Sequence, residues 1–146
     1  MTKKEEEFTQ YIDSLELKYF SGREVLGSIW KVRGDVKNTL PPKSKWQNIE
    51  PALRAVDALR GIIGEPITIA SSYRSEKYNA ACGGVKYSQH KQFKALDIQC
   101  KSVRPSIIHN RLLRLRNNGQ FKGGLGIYRT FVHIDTRGHN ADWSGI

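Results

Sequence analysis

Cysteine is scarce in this chain of 146 residues, and long apolar runs are missing from it altogether. The two cysteines, Cys82 and Cys100, are too few for a disulfide framework and do not form a CxxC pair. They read as reduced, partly buried thiols. No stretch could span a bilayer, so a transmembrane segment is not expected. The first residues, Met-Thr-Lys-Lys-Glu-Glu-Glu, lack the apolar run of a secretory signal, which points to synthesis in the cytoplasm. Acids are in short supply as well: 14 against 24 lysines and arginines leave a net charge of +10. That surplus predicts an anionic partner, and nucleic acid, anionic lipid and bacterial wall all qualify. No helix-turn-helix, zinc-finger or RNA-recognition pattern accompanies the charge, so specific nucleic-acid binding is not expected. Repeats and low-complexity tracts are also absent.

What is present suffices for one domain over residues 1–146. A chain of this length buries about 68–70% of its unfolded surface. Its 38% apolar and 26% charged residues give a globular balance. Residues 5–17 place Phe8, Tyr11, Ile12, Leu15 and Leu17 near one helical face. Residues 21–30 predict a short helix with Ser21 as N-cap and Glu24 closing a capping box. Residues 34–44, with Pro41-Pro42, read as a loop. The segment 1–44 is thus expected to be a helical N-terminal extension packed on the domain.

A further helix follows, capped by Asn48, with Pro51 in its first turn and Leu53, Val56, Leu59 and Ile63 on its core face. Gly64 and Pro66 end it. Residues 67–73 suggest a strand, 75–82 a short helix, and 94–100 (KALDIQC) a strand whose Leu96 and Ile98 oppose Ala95, Asp97 and Gln99. Residues 105–118 form a basic helix with Ile107, Ile108, Leu112, Leu113 and Leu115 on its apolar side. Two strand-like runs, GIYR and FVHIDT, come last. Helices early and strands late argue an α+β domain.

Of four histidines, two have informative company. Asp97 lies seven positions after His90 and is the one acid of its strand. On that strand it would sit opposite the apolar face, where an acid needs a cation or hydrogen-bond donors if it is covered. Alternation in FVHIDT puts Phe131, His133 and Asp135 on one face, with Val132 and Ile134 on the other. Two histidines and a carboxylate form a normal catalytic zinc set, with the fourth position left to water. The same three residues read equally well as a capped loop histidine, a salt-bridged aspartate and a core histidine.

The order of motifs adds to this. Tyr73-Arg74-Ser75, Gly83-Gly84, Ser88-Gln89-His90, Asp97, Gly124-Leu125-Gly126-Ile127-Tyr128, Phe131-Val132-His133-Ile134-Asp135 and the closing Asn140-Ala141-Asp142-Trp143 follow one another along the chain. This series resembles the zinc D-alanyl-D-alanine carboxypeptidase and L-Ala-D-Glu endopeptidase family, whose fold is shared with hedgehog domains and many phage endolysins. The resemblance covers about residues 45–143. It implies a small antiparallel sheet carrying the zinc site, flanked by helices. It implies zinc held by His90, Asp97 and His133, and a substrate carboxylate or scissile carbonyl bound by Arg74, with Ser88 and Tyr78 as substrate contacts.

Two departures stand out. Phe93 occupies a position where many relatives have glycine. Many relatives also place a catalytic acid three residues before the second histidine, or a histidine two before it; here those positions hold Thr130 and Phe131. Asp135 becomes the first candidate for a general base. Residues two apart on a strand are about 6.5–7 Å apart, so Asp135 could instead orient His133. His139 and Asp142, in an expected terminal loop, are weaker candidates.

The resemblance implies a zinc metallopeptidase, carboxypeptidase or endopeptidase, cutting next to a D-amino acid in peptidoglycan stem peptides. The basic helix with Arg104, Arg111, Arg114 and Arg116 would help to hold such a protein on an acidic wall. A small chain without a signal, expected to be a monomer, fits a bacteriophage lysis enzyme released to the wall, or a virion-attached peptidase with virion proteins as partners. An inactive zinc-containing wall-binding or phage structural module is the alternative, and the missing acid before His133 favours it.

Overall fold

The computed structural model describes residues 1–146. Both N-terminal helices begin at capping boxes. In α1 (Lys3–Asp13) the Thr2 hydroxyl accepts from Glu5 N while the Glu5 carboxylate accepts from Thr2 N. The helix stops at Ser14, sooner than the apolar spacing to Leu17 suggests. In α2 (Gly22–Ile29), Ser21 and Glu24 play the parts expected of them. Asp13 accepts from Gly22 N at 2.7 Å, and Asp57 accepts from the amides of Lys18 and Tyr19, so carboxylates pin the turn between the helices. Phe8, Ile12, Val25, Leu26 and Ile29 join the same apolar core as Leu53, Leu59 and Leu112.

Beyond α2 the expected loop contains a small hairpin, β1 (Val32–Arg33) with β2 (Val36–Lys37). Buried Asn38 ties it down: its amide donates to the carbonyls of Ile29 and Tyr73 and accepts from Ser75 N. A 3-10 turn, Lys43–Ile49, runs straight into α3 (Glu50–Ile63). Because the chain is already helical at this junction, Asn48 does not cap α3. It donates to the Gln92 carbonyl instead. Pro51 sits in the first turn and Gly64 ends the helix, both as expected.

The main sheet has five strands in the order β3-β4-β6-β5-β7. These are β3 (Thr68–Ser71), β4 (Ala95–Gln99), β5 (Gly124–Ile127), β6 (Val132–Asp135) and β7 (Ala141–Ser144). All pairings are antiparallel except β5 with β7. That parallel edge strand corrects the terminal-loop expectation for residues near Asp142. Its sequence, ADWS, is too short and polar to announce a strand. Buried Arg116 helps to fix it, donating to Ala141 O and pairing with Asp142 at 2.8 Å.

One face of the sheet, bearing Ile69, Leu96, Ile98, Leu125, Val132 and Ile134, is sealed by the helices. The covering helix α5 (Pro105–Asn117) buries Ile108, Leu112 and Leu115. Ile107, expected on that side, is 45% exposed. α4 (Glu76–Ala81), capped by Ser75, lies toward the other face, next to the hairpin. The architecture is α+β, as expected. Cys82 and Cys100 are free and half-buried. No helix is long and apolar enough to cross a membrane.

Candidate metal centre

The antiparallel register of β4 and β6 sets Asp97 directly opposite His133. Such cross-strand partners stand with their Cβ atoms about 4.5–5.5 Å apart, so pairing alone brings this acid and this imidazole together. His90 arrives from a 3-10 turn, Gln89–Gln92, started by Ser88, whose hydroxyl accepts from His90 N at 3.2 Å. The turn ends at Phe93 in the left-handed region, φ 56°, the conformation that suits the glycine of many relatives. Here the phenyl ring is fully buried against Phe8 and Tyr73, and this packing holds the turn in place of glycine's freedom.

Each histidine has one nitrogen spoken for. His90 Nδ1 lies 2.6 Å from the Ser72 carbonyl and donates to it, so Nε2 is the ring nitrogen that faces Asp97 Oδ2, at 3.2 Å. His133 Nε2 lies 2.7 Å from Asp135 Oδ2 and donates there, which leaves Nδ1 3.1 Å from Asp97 Oδ1. One ligand atom from each of His90, Asp97 and His133 falls within 4.8 Å of the others. All three residues are buried. Two free imidazole nitrogens converging on a carboxylate fit zinc better than magnesium or calcium, and hydrogen bonds from the far ring nitrogens are how proteins aim such ligands.

The electrostatics agree with a cation here. Burial would push the Asp97 carboxyl up, but the charge of His90 and hydrogen bonds from His133 and His90 outweigh it and hold it well below the usual range. Burial would push His133 down, yet its hydrogen bonds to Asp135 and Asp97 raise it. In the metal-free protein a proton on His133 thus compensates buried negative charge, as a bound cation would.

Asp135 does not have the freedom of a general base. It is fully buried, and Oδ1 accepts from Gly124 N, Arg137 N and Arg137 Nε. Oδ2 accepts from Arg137 Nη2 and His133 Nε2. It sits on the side of the His133 ring away from Asp97. Burial opposes its ionisation, but the bonds from His133, Arg137 and Gly124 win and hold its carboxyl low. In this structure the Asp135 carboxylate is engaged by His133, Arg137 and Gly124 N, the arrangement expected of a residue that orients His133.

The cluster opens into a cleft of about 710 Å³, lined also by Arg74, Ser88, Tyr128, Phe131, Arg137 and Trp143. Asp97 is the one carboxylate in its lining. Arg74 Nη2 is 3.6 Å from Asp97 Oδ2, and its Nε is buried without a partner. Ser88 lines the cleft but spends its hydroxyl on the turn. Tyr78 is on α4 and lines a smaller neighbouring cavity rather than this cleft. His139 and Asp142 are exposed and outside it.

Residues 18–135 match the family described as Peptidase M15. The chain belongs to that family. No curated protein and no solved structure matches it. Peptidase M15 members are zinc-dependent peptidases acting on peptidoglycan. The match takes in α2 and the β1–β2 hairpin, which the motif resemblance starting near residue 45 leaves out.

Two cleft residues of this Peptidase M15 chain were not singled out from sequence. Trp143, on unexpected β7, places its ring 5.0 Å from that of His133 and donates from Nε1 to Tyr128 Oη at 2.8 Å. Arg137 clamps Asp135 and lies over the Trp143 ring. The Gly124-x-Gly126 pair carries a signal for Trp143. A Cβ at Gly124 would come 2.6 Å from Asp135 Oδ2, and one at Gly126 would overlap the Trp143 indole.

Proposed function

We propose that this Peptidase M15 protein is a zinc hydrolase cutting a peptide bond next to a D-amino acid in peptidoglycan stem peptides. The observation that carries the reading is the convergence of His90 Nε2, Asp97 and His133 Nδ1 at the floor of a cleft that also holds Arg74. Zinc held there supplies a Lewis acid for the scissile carbonyl and lowers the pKa of a water toward about 7. Ser72 and Asp135 keep the two rings in their metal-binding tautomers. Arg74 presents its guanidinium to a substrate carboxylate or carbonyl, in the planar fork geometry that carboxylates match. Trp143 covers one side of His133 and fixes the Tyr128 hydroxyl at the rim. The +10 charge holds the protein close to an acidic wall.

A second reading, a zinc-containing wall-binding module without hydrolysis, is favoured by the lack of any carboxylate but Asp97 in the cleft. Purified protein is incubated with peptidoglycan of several wall types, with and without a chelator, beside His90→Ala, and the fragments are read by mass spectrometry. Chelator-sensitive cleavage that His90→Ala abolishes is the expected result. Stoichiometric bound zinc with no cleavage of any wall type would leave the binding module.

A further inference from the structure

Arg74 separates two cavities. On one side is the metal cleft; on the other is a smaller one of about 270 Å³, lined by Lys31, Arg33, Arg74, Tyr78 and Gln99, with Cys82, Asp97 and Phe131 also shared between the two. Three of these residues are cations. Neither Lys31 nor Arg33 pairs with an acid, while Arg74 has Asp97 as its one acid partner and a buried, unpartnered Nε. Asp97 is the sole acid in the lining, and it belongs to the metal ligand set. Arg33 and Arg74 both lie close enough to the buried Tyr78 phenol to act on its ionisation. A concave site with three cations against one carboxylate, two of the cations having no acid partner, carries a positive surplus that attracts an anion.

The site is also built rather than accidental. Arg33 is on β1, opposite Val36 of β2, and Asn38 anchors that hairpin to Ile29, Tyr73 and Ser75. Ser75 in turn caps α4, which carries Tyr78. The hairpin cations are therefore set against the same elements that hold Arg74, so little ordering is needed when a ligand arrives.

We propose that Arg33 and Lys31 complete, with Arg74, a subsite for a substrate carboxylate lying within one residue of the scissile bond. This deepens the peptidase reading and rests on it for the name of the substrate. A carboxylate so placed has two sources in a stem peptide: the free chain terminus, or the α-carboxylate of a glutamate linked onward through its side chain. Each would meet guanidinium groups able to bind it through paired N–H donors.

Three probes separate these sources: the peptide L-Ala-γ-D-Glu-L-Lys-D-Ala-D-Ala, its C-terminal carboxamide, and its glutamyl α-carboxamide. Binding to metal-free protein is measured by calorimetry, and hydrolysis by the zinc-loaded protein is followed separately. Wild type is expected to bind the acid peptide tighter than one of the two amides, by roughly tenfold or more, as charge-assisted bonds differ from neutral ones. The amide that loses identifies the source. Arg33→Ala removes this preference, Arg33→Lys retains part of it, and Lys31→Ala reduces it. Arg23→Ala, exposed on α2, leaves it intact and controls for net charge. Melting curves check that each variant folds. The subsite is overturned if no peptide binds, if both amides bind as well as the acid, or if Arg33→Ala keeps the wild-type ratio. Hydrolysis without an acid preference removes the subsite and spares the peptidase; an acid preference lost in Arg33→Ala without hydrolysis does the reverse.

Discussion

His133 Nε2 lies 2.7 Å from Asp135 Oδ2, so the ring that offers Nδ1 toward Asp97 is held by a carboxylate on its far side. Arg137 and Gly124 N complete the hold on Asp135. A carboxylate so placed fixes the tautomer of a histidine and raises its basicity as a ligand. Asp135→Asn is expected to weaken zinc binding roughly 10–100-fold, as loss of such orienting partners does. It should also destabilise the fold, since half-buried Arg137 loses its charge partner. Competition with a chromophoric chelator measures the affinity; an unchanged value would mean that His133 needs no help from Asp135.

Removing the metal should be visible as a loss of stability. A ligand that binds only the folded state stabilises it by about 2.7 kcal/mol at a hundredfold excess over its Kd. Zinc added to stripped protein is therefore expected to raise Tm, and chelator to lower it. His90→Ala and Asp97→Ala should fold but show no zinc response. A zinc-dependent rise of wild-type size in both variants would place the metal elsewhere.

The elements legible in the sequence were those whose signal is local. Capping at Ser21, the apolar spacing of α3 and the alternation of KALDIQC all came through, because cap chemistry and side-chain period act within a few residues. Asn48 misled because the chain enters α3 already coiled in a 3-10 turn, which a cap residue cannot reveal. β7 was hidden because its partners, β5 and Arg116, are supplied by the tertiary structure. For the same reason the sequence shows Trp143 as part of a motif without giving it a role. Asp135 shared a strand face with His133, as alternation required, but its hydrogen bonds to Arg137 and Gly124 lie outside any periodicity. Tyr78 is near Arg74 but behind it, and only the placement of α4 decides on which side.

Zinc binding should release protons, and more of them as pH falls. His133 in the metal-free protein is raised above its ordinary value by Asp135 and Asp97, against the effect of burial. A raised folded pKa contributes stability that is full below the unfolded value of about 6.5 and is lost as pH rises through the folded one. Asp97 and Asp135 are lowered, so their contribution is present above about 3.9 and lost as pH drops below it. Metal-free protein should thus lose stability at strongly acid pH and again, more mildly, on the alkaline side of neutrality. Zinc needs His133 deprotonated, so the Tm gain from zinc should grow between about pH 5 and pH 8. Calorimetry in buffers of different ionisation enthalpy counts the protons. A zinc affinity independent of pH over this range would contradict the assignment of His133 as a ligand.

Gly126 and Trp143 should behave as one unit. Gly126 is paired with His133 across β5 and β6 and has an ordinary strand conformation, so alanine there meets no backbone strain. Its Cβ would instead overlap the Trp143 indole. The strand cannot yield without disturbing His133, so the indole must swing away. That breaks its hydrogen bond to Tyr128 and uncovers the His133 ring. Gly126→Ala is expected to cost about 1–3 kcal/mol of stability, as overpacking does, and to weaken zinc binding and hydrolysis as Trp143→Ala does. With the indole gone, the Cβ at 126 has room. The double variant should therefore match Trp143→Ala alone in zinc affinity and kcat/KM, a non-additivity that marks direct contact. Additive losses in the double variant would show that Gly126 acts on the centre through something other than Trp143.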